Sequence, residues 1–149
     1  IAAADILKEE YGVISDIWSV TSFNELRREA LDATRWNMLH PAEKPKKSYV
    51  RSCLEKREGP VVAATDYMKI FADQIREFVP GKYKVLGTDG YGRSDTREKL
   101  RQFFEVDRYY VTVAALKSLA EDGKISSEKV VEAINKYNID PDKPNPIKV

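Results

Sequence analysis

The sequence has little of the chemistry that marks redox, disulfide-bonded or metal-binding proteins. It holds a single cysteine, Cys53, and a single histidine, His40, among 149 residues. One cysteine excludes an internal disulfide, and this pair does not supply the four ligands of a structural zinc site. Sparse cysteine usage is typical of a reducing compartment, so the sequence predicts a cytoplasmic location.

An excess of charge of one sign is also missing, as are long apolar runs. The 25 Lys and Arg residues nearly balance the 24 Asp and Glu residues, which leaves a net charge of +1. A nucleic-acid or membrane partner would require a concentrated basic face, and a membrane span would require about 20 apolar residues. We therefore expect neither partner. The length fits one compact domain over residues 1–149.

Apolar runs and helical spacing alternate along the chain. Strand character marks residues 13–20, 61–65 and 83–86, and helical spacing marks residues 1–10, 23–40, 48–56, 68–79, 96–104, 107–121 and 126–137. This alternation predicts an α/β fold with three layers, helix, sheet and helix, around a mostly parallel sheet. Residues 139–149 contain three prolines and are expected to form an extended tail.

The first helical pattern has no residue before it that could cap its free N–H groups. We therefore expect the chain to be a piece of a longer protein that begins within a helix. Three strands are few for a parallel sheet covered on both faces, so the sheet is expected to lack its first strand or strands.

A glycine-rich turn is the strongest local signal. It follows the third predicted strand and consists of Gly87, Thr88, Asp89, Gly90, Tyr91, Gly92, Arg93, Ser94 and Asp95. Such a strand-to-helix turn lies at the carboxyl edge of a parallel sheet, where ligands and partner surfaces usually sit. The glycine spacing matches neither the dinucleotide-binding fingerprint nor the P-loop.

Arg93, Arg97 and Arg101 recur every four residues and form a basic stripe beside this turn. The stripe admits two hypotheses. It pairs with acidic groups of another domain, so that the turn is an interface, or it holds a small anion or phosphate near a helix N-terminus, as in an independent α/β binding module.

The ends of parallel strands should meet at one edge, which makes Ser22 and Asp66 further candidates for a site beside the turn. The simpler hypothesis is that both residues cap the helices that follow them. Asp95 with Glu98 has the spacing of a capping box, and Asp107 is expected to cap the next helix. Neither a nucleophile elbow nor an acid/base pair is present, so no catalytic, cofactor-binding or metal-binding residue is predicted.

Five runs carry a family resemblance: DIWSVTSFNEL (16–26), RWNMLHP (35–41), ATDYMK (64–69), the glycine turn continuing to FEVD (87–107), and KYNID (136–140). Together they resemble the C-terminal domain of the homodimeric, bacterial-type pyruvate dehydrogenases, which are acetyl-transferring and depend on thiamine diphosphate. The resemblance covers essentially the whole chain. More distantly, the pattern is similar to the C-terminal domain of transketolases.

The resemblance implies a domain without catalytic residues that helps to form the homodimer and the active-site entrance. In the parent enzyme, thiamine diphosphate and magnesium would lie between the first two domains. The parent would decarboxylate pyruvate oxidatively and pass the acetyl group to a lipoyl group of the acetyltransferase core, in the multienzyme complex that links glycolysis to acetyl-CoA. The implied partners are therefore the other domains, the homodimer partner and that core.

The family's thiamine-binding motif is not matched in this chain. That motif is Gly-Asp-Gly with a downstream Asn pair, whereas the run from Gly87 to Gly90 contains an extra threonine and no Asn pair follows. No cofactor is therefore expected on this chain, and the chain alone is expected to be inactive.

Overall fold

Seven α-helices and two β-strands make up the fold in a computed structural model that describes residues 1–149. The helices are α1 (Ala2–Tyr11), α2 (Phe23–Leu39), α3 (Tyr49–Leu54), α4 (Lys69–Asp73), α5 (Arg97–Phe103), α6 (Arg108–Glu121) and α7 (Ser127–Lys136), and the strands are β1 (Val61–Ala64) and β2 (Tyr83–Leu86). Single 3₁₀ turns occupy Arg76–Phe78 and Pro146–Lys148. None of the helices combines the length and the apolar composition needed to cross a membrane.

Side-chain caps start the helices where the sequence predicts them. The Ser22 hydroxyl accepts a hydrogen bond from the Glu25 amide at 3.2 Å and begins α2. The Asp107 carboxylate accepts from the amides of Tyr109 and Tyr110, both at 2.9 Å, and begins α6. These bonds satisfy amides that have no partner within the helix, which fixes its first residue.

The sheet consists of β1 and β2 in parallel, with Val61 opposite Tyr83 and Ala64 opposite Leu86. On one face, α4 contacts β2, and α2 and α3 complete a shared core around Ala72, Phe78 and Val85. On the other face, α6 contacts both strands. This arrangement confirms the predicted α/β fold with a parallel sheet between helical layers.

The second face has its own core, where α1 and α7 pack against α6. Leu116 on α6 is completely buried there, and Leu7, Val130 and Ala133 surround it. The helices of this layer are also joined at their ends, because the Tyr137 hydroxyl contacts the hydroxyl of Tyr11 at 3.0 Å.

The strand predicted over residues 13–20 is wrong. This segment has no regular secondary structure, and residues 14–21 make no backbone hydrogen bond. The apolar side chains of residues 14–20 are exposed to solvent instead, with Ile14 87% exposed and Ile17 59% exposed. Strand propensity reflects packing and pairing with neighbours, and here β1 pairs only with β2, so the propensity is not realised.

The single helix predicted over residues 68–79 is also wrong, because it is broken in two. Helix α4 ends at Asp73, and a 3₁₀ turn follows from Arg76. The Arg76 guanidinium donates to the Tyr83 carbonyl oxygen at 2.6 Å and also binds Asp73, which ties the broken segment to β2. The break leaves Ile75 and Phe78 buried against the sheet, as their spacing predicts.

Candidate functional site

The carboxyl edge of the sheet brings the segment after β1 beside the glycine turn after β2. The Thr88 amide donates to the Tyr67 carbonyl oxygen at 2.8 Å. In return, the Lys69 amide donates to the Asp89 carboxylate at 3.1 Å. The structure therefore joins two of the three predicted strand ends through reciprocal hydrogen bonds.

Two glycines of the turn are required by close backbone approaches. A Cβ on Gly87 would lie 2.8 Å from the Tyr67 carbonyl oxygen. Gly90 has a φ of +92°, and a Cβ there would lie 2.9 Å from the Pro146 carbonyl oxygen in the C-terminal tail. Both distances are below normal contact, so only glycine fits without a shift of the backbone. Gly92, in contrast, faces open space.

Two arginines of the basic stripe meet Asp66, the residue that follows β1 by two positions. The Arg101 guanidinium donates to the Asp66 carboxylate at 3.2 Å and 2.6 Å, and the Arg97 guanidinium lies 3.7 Å from it. The hydrogen bonds from Arg101 lower the pKa of Asp66 below its usual value, and the charges of both arginines act in the same direction. The stripe therefore has an acidic partner within this chain.

The third arginine of the stripe, Arg93, lies before α5 and not on it. Its guanidinium sits over the Phe103 ring, 4.9 Å from the centroid. Lys143 of the C-terminal tail lies over the same ring at 5.3 Å and donates to the Phe103 carbonyl oxygen at 2.6 Å. Phe103 thus links the glycine turn to the tail, and each cation is attracted by the electron-rich ring face.

Of the three capping predictions for Ser22, Asp66 and Asp95, one is confirmed and two are wrong. Ser22 caps α2, as the simpler hypothesis predicts, and the structure does not join it to the glycine turn. Asp66 as a cap is wrong, because α4 begins after Met68 and has no side-chain cap. Asp95 as the cap of α5 is also wrong, because the neighbouring Thr96 hydroxyl accepts from the Lys99 amide instead.

The sequence does not reveal that the loop between β1 and α4, together with the start of α4, forms an exposed apolar surface. Tyr67 is 63% exposed, Met68 51% and Ile70 60%. The helical spacing predicted over residues 68–79 assigns Met68 to a buried face, so the pattern does not reveal this exposed surface. The approach of Pro146 to the turn was missed as well, although the Gly90 position is one sign that another segment lies close.

The single histidine and the single cysteine have separate partners in the structure. His40 stacks on Trp36 with 4.3 Å between ring centroids, and its Nδ1 lies 2.8 Å from the Trp36 carbonyl oxygen. Cys53 is partly buried and lies beside Tyr49, whose pKa it raises. A shallow cleft of about 560 Å³ along α2 is lined by charged side chains and only one apolar residue, Leu31. His40 and Cys53 are therefore not paired as base and nucleophile.

The residues at this edge do not fit a thiamine diphosphate and magnesium site. The Asp89 carboxylate, which would correspond to the metal-binding acid of a Gly-Asp-Gly motif, accepts from the Lys69 amide and lies 4.0 Å from the Lys69 ammonium. No group of three or more His, Cys, Asp or Glu side chains is placed to hold a metal ion. These contacts give Asp89 a structural role, because they join the glycine turn to the start of α4.

Comparison with known proteins gives consistent matches. Residues 1–107 match the model of the transketolase-like TK C-terminal domain. The pyruvate dehydrogenase E1 component of Cupriavidus necator is 62% identical over 149 residues, which is 100% of this chain and 17% of that protein. Those of Pseudomonas aeruginosa and Escherichia coli K12 are 61% and 57% identical over 97% of this chain.

The chain therefore spans about 17% of the length of these curated relatives. The predicted resemblance to pyruvate dehydrogenases and transketolases is confirmed, since identity runs across the whole chain and the family model covers residues 1–107. The chain belongs to the transketolase-like C-terminal domain family.

Proposed function

We propose that this chain is the C-terminal domain of a pyruvate dehydrogenase and carries none of its catalytic residues. The observation that carries the proposal is 62% identity over the full chain to a protein named as a pyruvate dehydrogenase E1 component. In the parent, thiamine diphosphate and magnesium would be bound by residues outside this chain. The parent would decarboxylate pyruvate and transfer the acetyl group to a lipoyl group of an acetyltransferase core, in the cytoplasm.

The geometry favours a role in which this domain contacts and supports the other parts of the protein. Charged side chains at the carboxyl edge of the sheet pair with each other, as Asp66 does with Arg97 and Arg101. The domain also presents large apolar side chains to solvent, among them Tyr67 and Ile70. Such a surface is typical of a domain that contacts neighbours, which here would be the other domains and the homodimer partner.

The test is a reconstitution with the full-length parent polypeptide. Supplied with pyruvate, thiamine diphosphate, magnesium and free lipoamide, it should release CO₂ and form acetyl-lipoamide. The 149-residue chain alone should do neither under the same conditions. A full-length parent that binds thiamine diphosphate but leaves pyruvate unchanged would overturn the proposal.

The alternative, an independent module that binds a small anion at the glycine turn, has one observation in its favour. The Arg97 side chain is 80% exposed and is held to Asp66 only at 3.7 Å. Titration calorimetry with inorganic phosphate tests it. Heat that disappears in an Arg97→Ala variant would support the alternative, and absence of heat at millimolar phosphate would exclude it.

A further inference from the structure

The loop between β1 and α4, the first residues of α4 and the glycine turn together display a group of exposed apolar side chains. We name this group the edge patch; its members are Tyr67, Met68, Ile70, Phe71 and Tyr91. Four of them fall within five consecutive residues, and Tyr91 is 85% exposed. Exposed apolar patches of this kind mark sites of interaction, whereas single exposed apolar residues do not.

The backbone beneath the edge patch is held rigidly before any partner arrives. The Thr88 amide binds the Tyr67 carbonyl oxygen at 2.8 Å, and the Lys69 amide binds Asp89 at 3.1 Å. Gly87 allows the two loops to approach as closely as they do. Within the patch, the rings of Tyr67 and Phe71 pack at 4.8 Å between centroids. Rigid surfaces lose little conformational entropy on binding, so the patch is preorganised.

Two arginines and one carboxylate lie at the rim of the patch beside Tyr67. Asp66 follows β1 immediately before Tyr67, and it is shared by the two guanidinium groups of Arg97 and Arg101. One carboxylate for two arginines leaves an excess positive charge, and the side chain of Arg97 is 80% exposed. Tyrosine, phenylalanine, methionine and arginine are the residues enriched at protein interfaces. The partner surface should accordingly be apolar at its centre and carry carboxylates at its edge.

We propose that the edge patch docks on another domain of the parent polypeptide, at a surface that is apolar at its centre and acidic at its rim. The occupant follows from length, because most of each relative lies outside the part that this chain matches. Domains of one polypeptide are held at high effective concentration, so a modest patch suffices to dock them. The inference rests on the proposed function for the existence of that longer parent.

Thiol labelling of the full-length parent tests this docking. The chain offers a matched pair, Met68→Cys in the edge patch and Val131→Cys on α7, because the two native side chains are 51% and 55% exposed. Labelling is read by mass spectrometry of the peptide that holds each new cysteine. We expect Met68→Cys to react about tenfold more slowly than Val131→Cys. Equal rates would overturn the docking.

Charge reversal at the rim tests whether the partner surface is acidic there. Arg97→Glu added to Met68→Cys should raise the labelling rate at least about threefold, because a glutamate would face acidic groups of the partner. Arg35→Glu is the matched control, since it reverses one charge on the cleft along α2 and should leave the rate unchanged. An Arg97→Glu variant that labels as slowly as its parent variant would contradict the acidic rim.

Dilution identifies the occupant. Protection of Met68→Cys should persist when the parent is diluted until it is monomeric, because the docking domain is part of the same polypeptide. Protection that disappears with the oligomer would show that a second copy covers the patch, and would overturn the proposal. Labelling needs no pyruvate, so a parent that protects Met68→Cys without decarboxylating pyruvate fails only the proposed function. A parent that decarboxylates pyruvate but labels rapidly fails only the docking.

Discussion

The glycine turn and residues 14–21 are both connections that precede a helix, yet the structure treats them in opposite ways. The turn has few apolar residues and is fixed on two sides, by Tyr67 and by Pro146. Residues 14–21 include Ile17 and Trp18 and have the stronger propensity for regular structure, yet they make no backbone hydrogen bond. In these two segments, regular hydrogen bonding therefore follows tertiary contacts and not local propensity.

The reason lies in what each segment requires. A turn with glycines needs only a neighbour that approaches closely, and the segments around Tyr67 and Pro146 supply it. A strand needs a second strand to satisfy its N–H and C=O groups, and β1 pairs only with β2. In residues 14–21 the structure shows side-chain contacts only, such as the 3.3 Å ion pair between Asp16 and Arg57.

The largest effect should come from adding a side chain where the turn meets the tail. Gly90→Ala forces a non-glycine residue to a φ of +92° and places its Cβ 2.9 Å from the Pro146 carbonyl oxygen. We expect it to lower the free energy of unfolding by about 3 kcal/mol, measured by urea denaturation of the chain.

Gly92→Ala is the matched control for this change, because Gly92 has open space around it and an ordinary φ. It should leave the free energy of unfolding within about 0.5 kcal/mol of the wild type, since loss of freedom in the unfolded chain slightly favours alanine. Equal losses in the two variants would show that the tail does not hold the turn.

The next largest effect should be a difference in the hydrogen-exchange rates of backbone amides between the two segments. The amides of Thr88 and Lys69 have partners at 2.8 Å and 3.1 Å, whereas residues 14–21 have none. We expect the two bonded amides to exchange at least about 100-fold more slowly than those of residues 14–21, after correction for sequence. Similar protection in both segments would remove the contrast.

Much of the fold is predictable from sequence because its signals are local. Ser22 and Asp107 cap the helices they are expected to cap, and the short apolar runs that become β1 and β2 are found with errors of one residue at most. A cap satisfies amides within its own first turn, so its effect does not depend on distant parts of the chain. Residues 13–20 fail for the opposite reason, since their pairing partner is not set by local sequence.

The site is predictable only in its position. Parallel strands bring Asp66 to the glycine turn, as the sequence predicts. The pairing of Asp66 with Arg101 was not predicted, because the two residues lie 35 positions apart. Helical spacing over residues 68–79 assigns Met68 to a buried face, since amphipathic spacing does not reveal that α4 starts only at Lys69. Whether the turn is an interface or an anion site stays a prediction.

A smaller effect is expected from the ion pairs beside the turn. Asp66→Asn removes the carboxylate shared by Arg97 and Arg101, but that side chain is 56% exposed, so solvent screens the interaction. We expect a loss of about 0.5 kcal/mol at pH 7 and low salt. Denaturation at several salt concentrations checks it, and the loss should decrease as salt is added.

The pH dependence of the same variant tests whether the ionised Asp66 carboxylate stabilises the native state. Arg101 lowers the pKa of Asp66 in the folded chain, so the native state is stabilised by the carboxylate above its unfolded pKa of about 3.9. This contribution is lost as the pH falls through the lowered folded pKa. The difference between wild type and Asp66→Asn should therefore shrink from pH 5 towards pH 3, and a difference that grows there would contradict the pairing.

The smallest effect should come from the segment that the sequence marks most strongly as a strand. Ile14 is 87% exposed and its amide has no partner, so Ile14→Lys should change the free energy of unfolding of the chain by less than about 0.5 kcal/mol. Ile14→Val, measured beside it by urea denaturation, controls for side-chain shape without adding charge. A loss of about 2 kcal/mol in the lysine variant alone would show that Ile14 is packed. The contrast with the glycine turn would then fail, because both segments would depend on tertiary contacts.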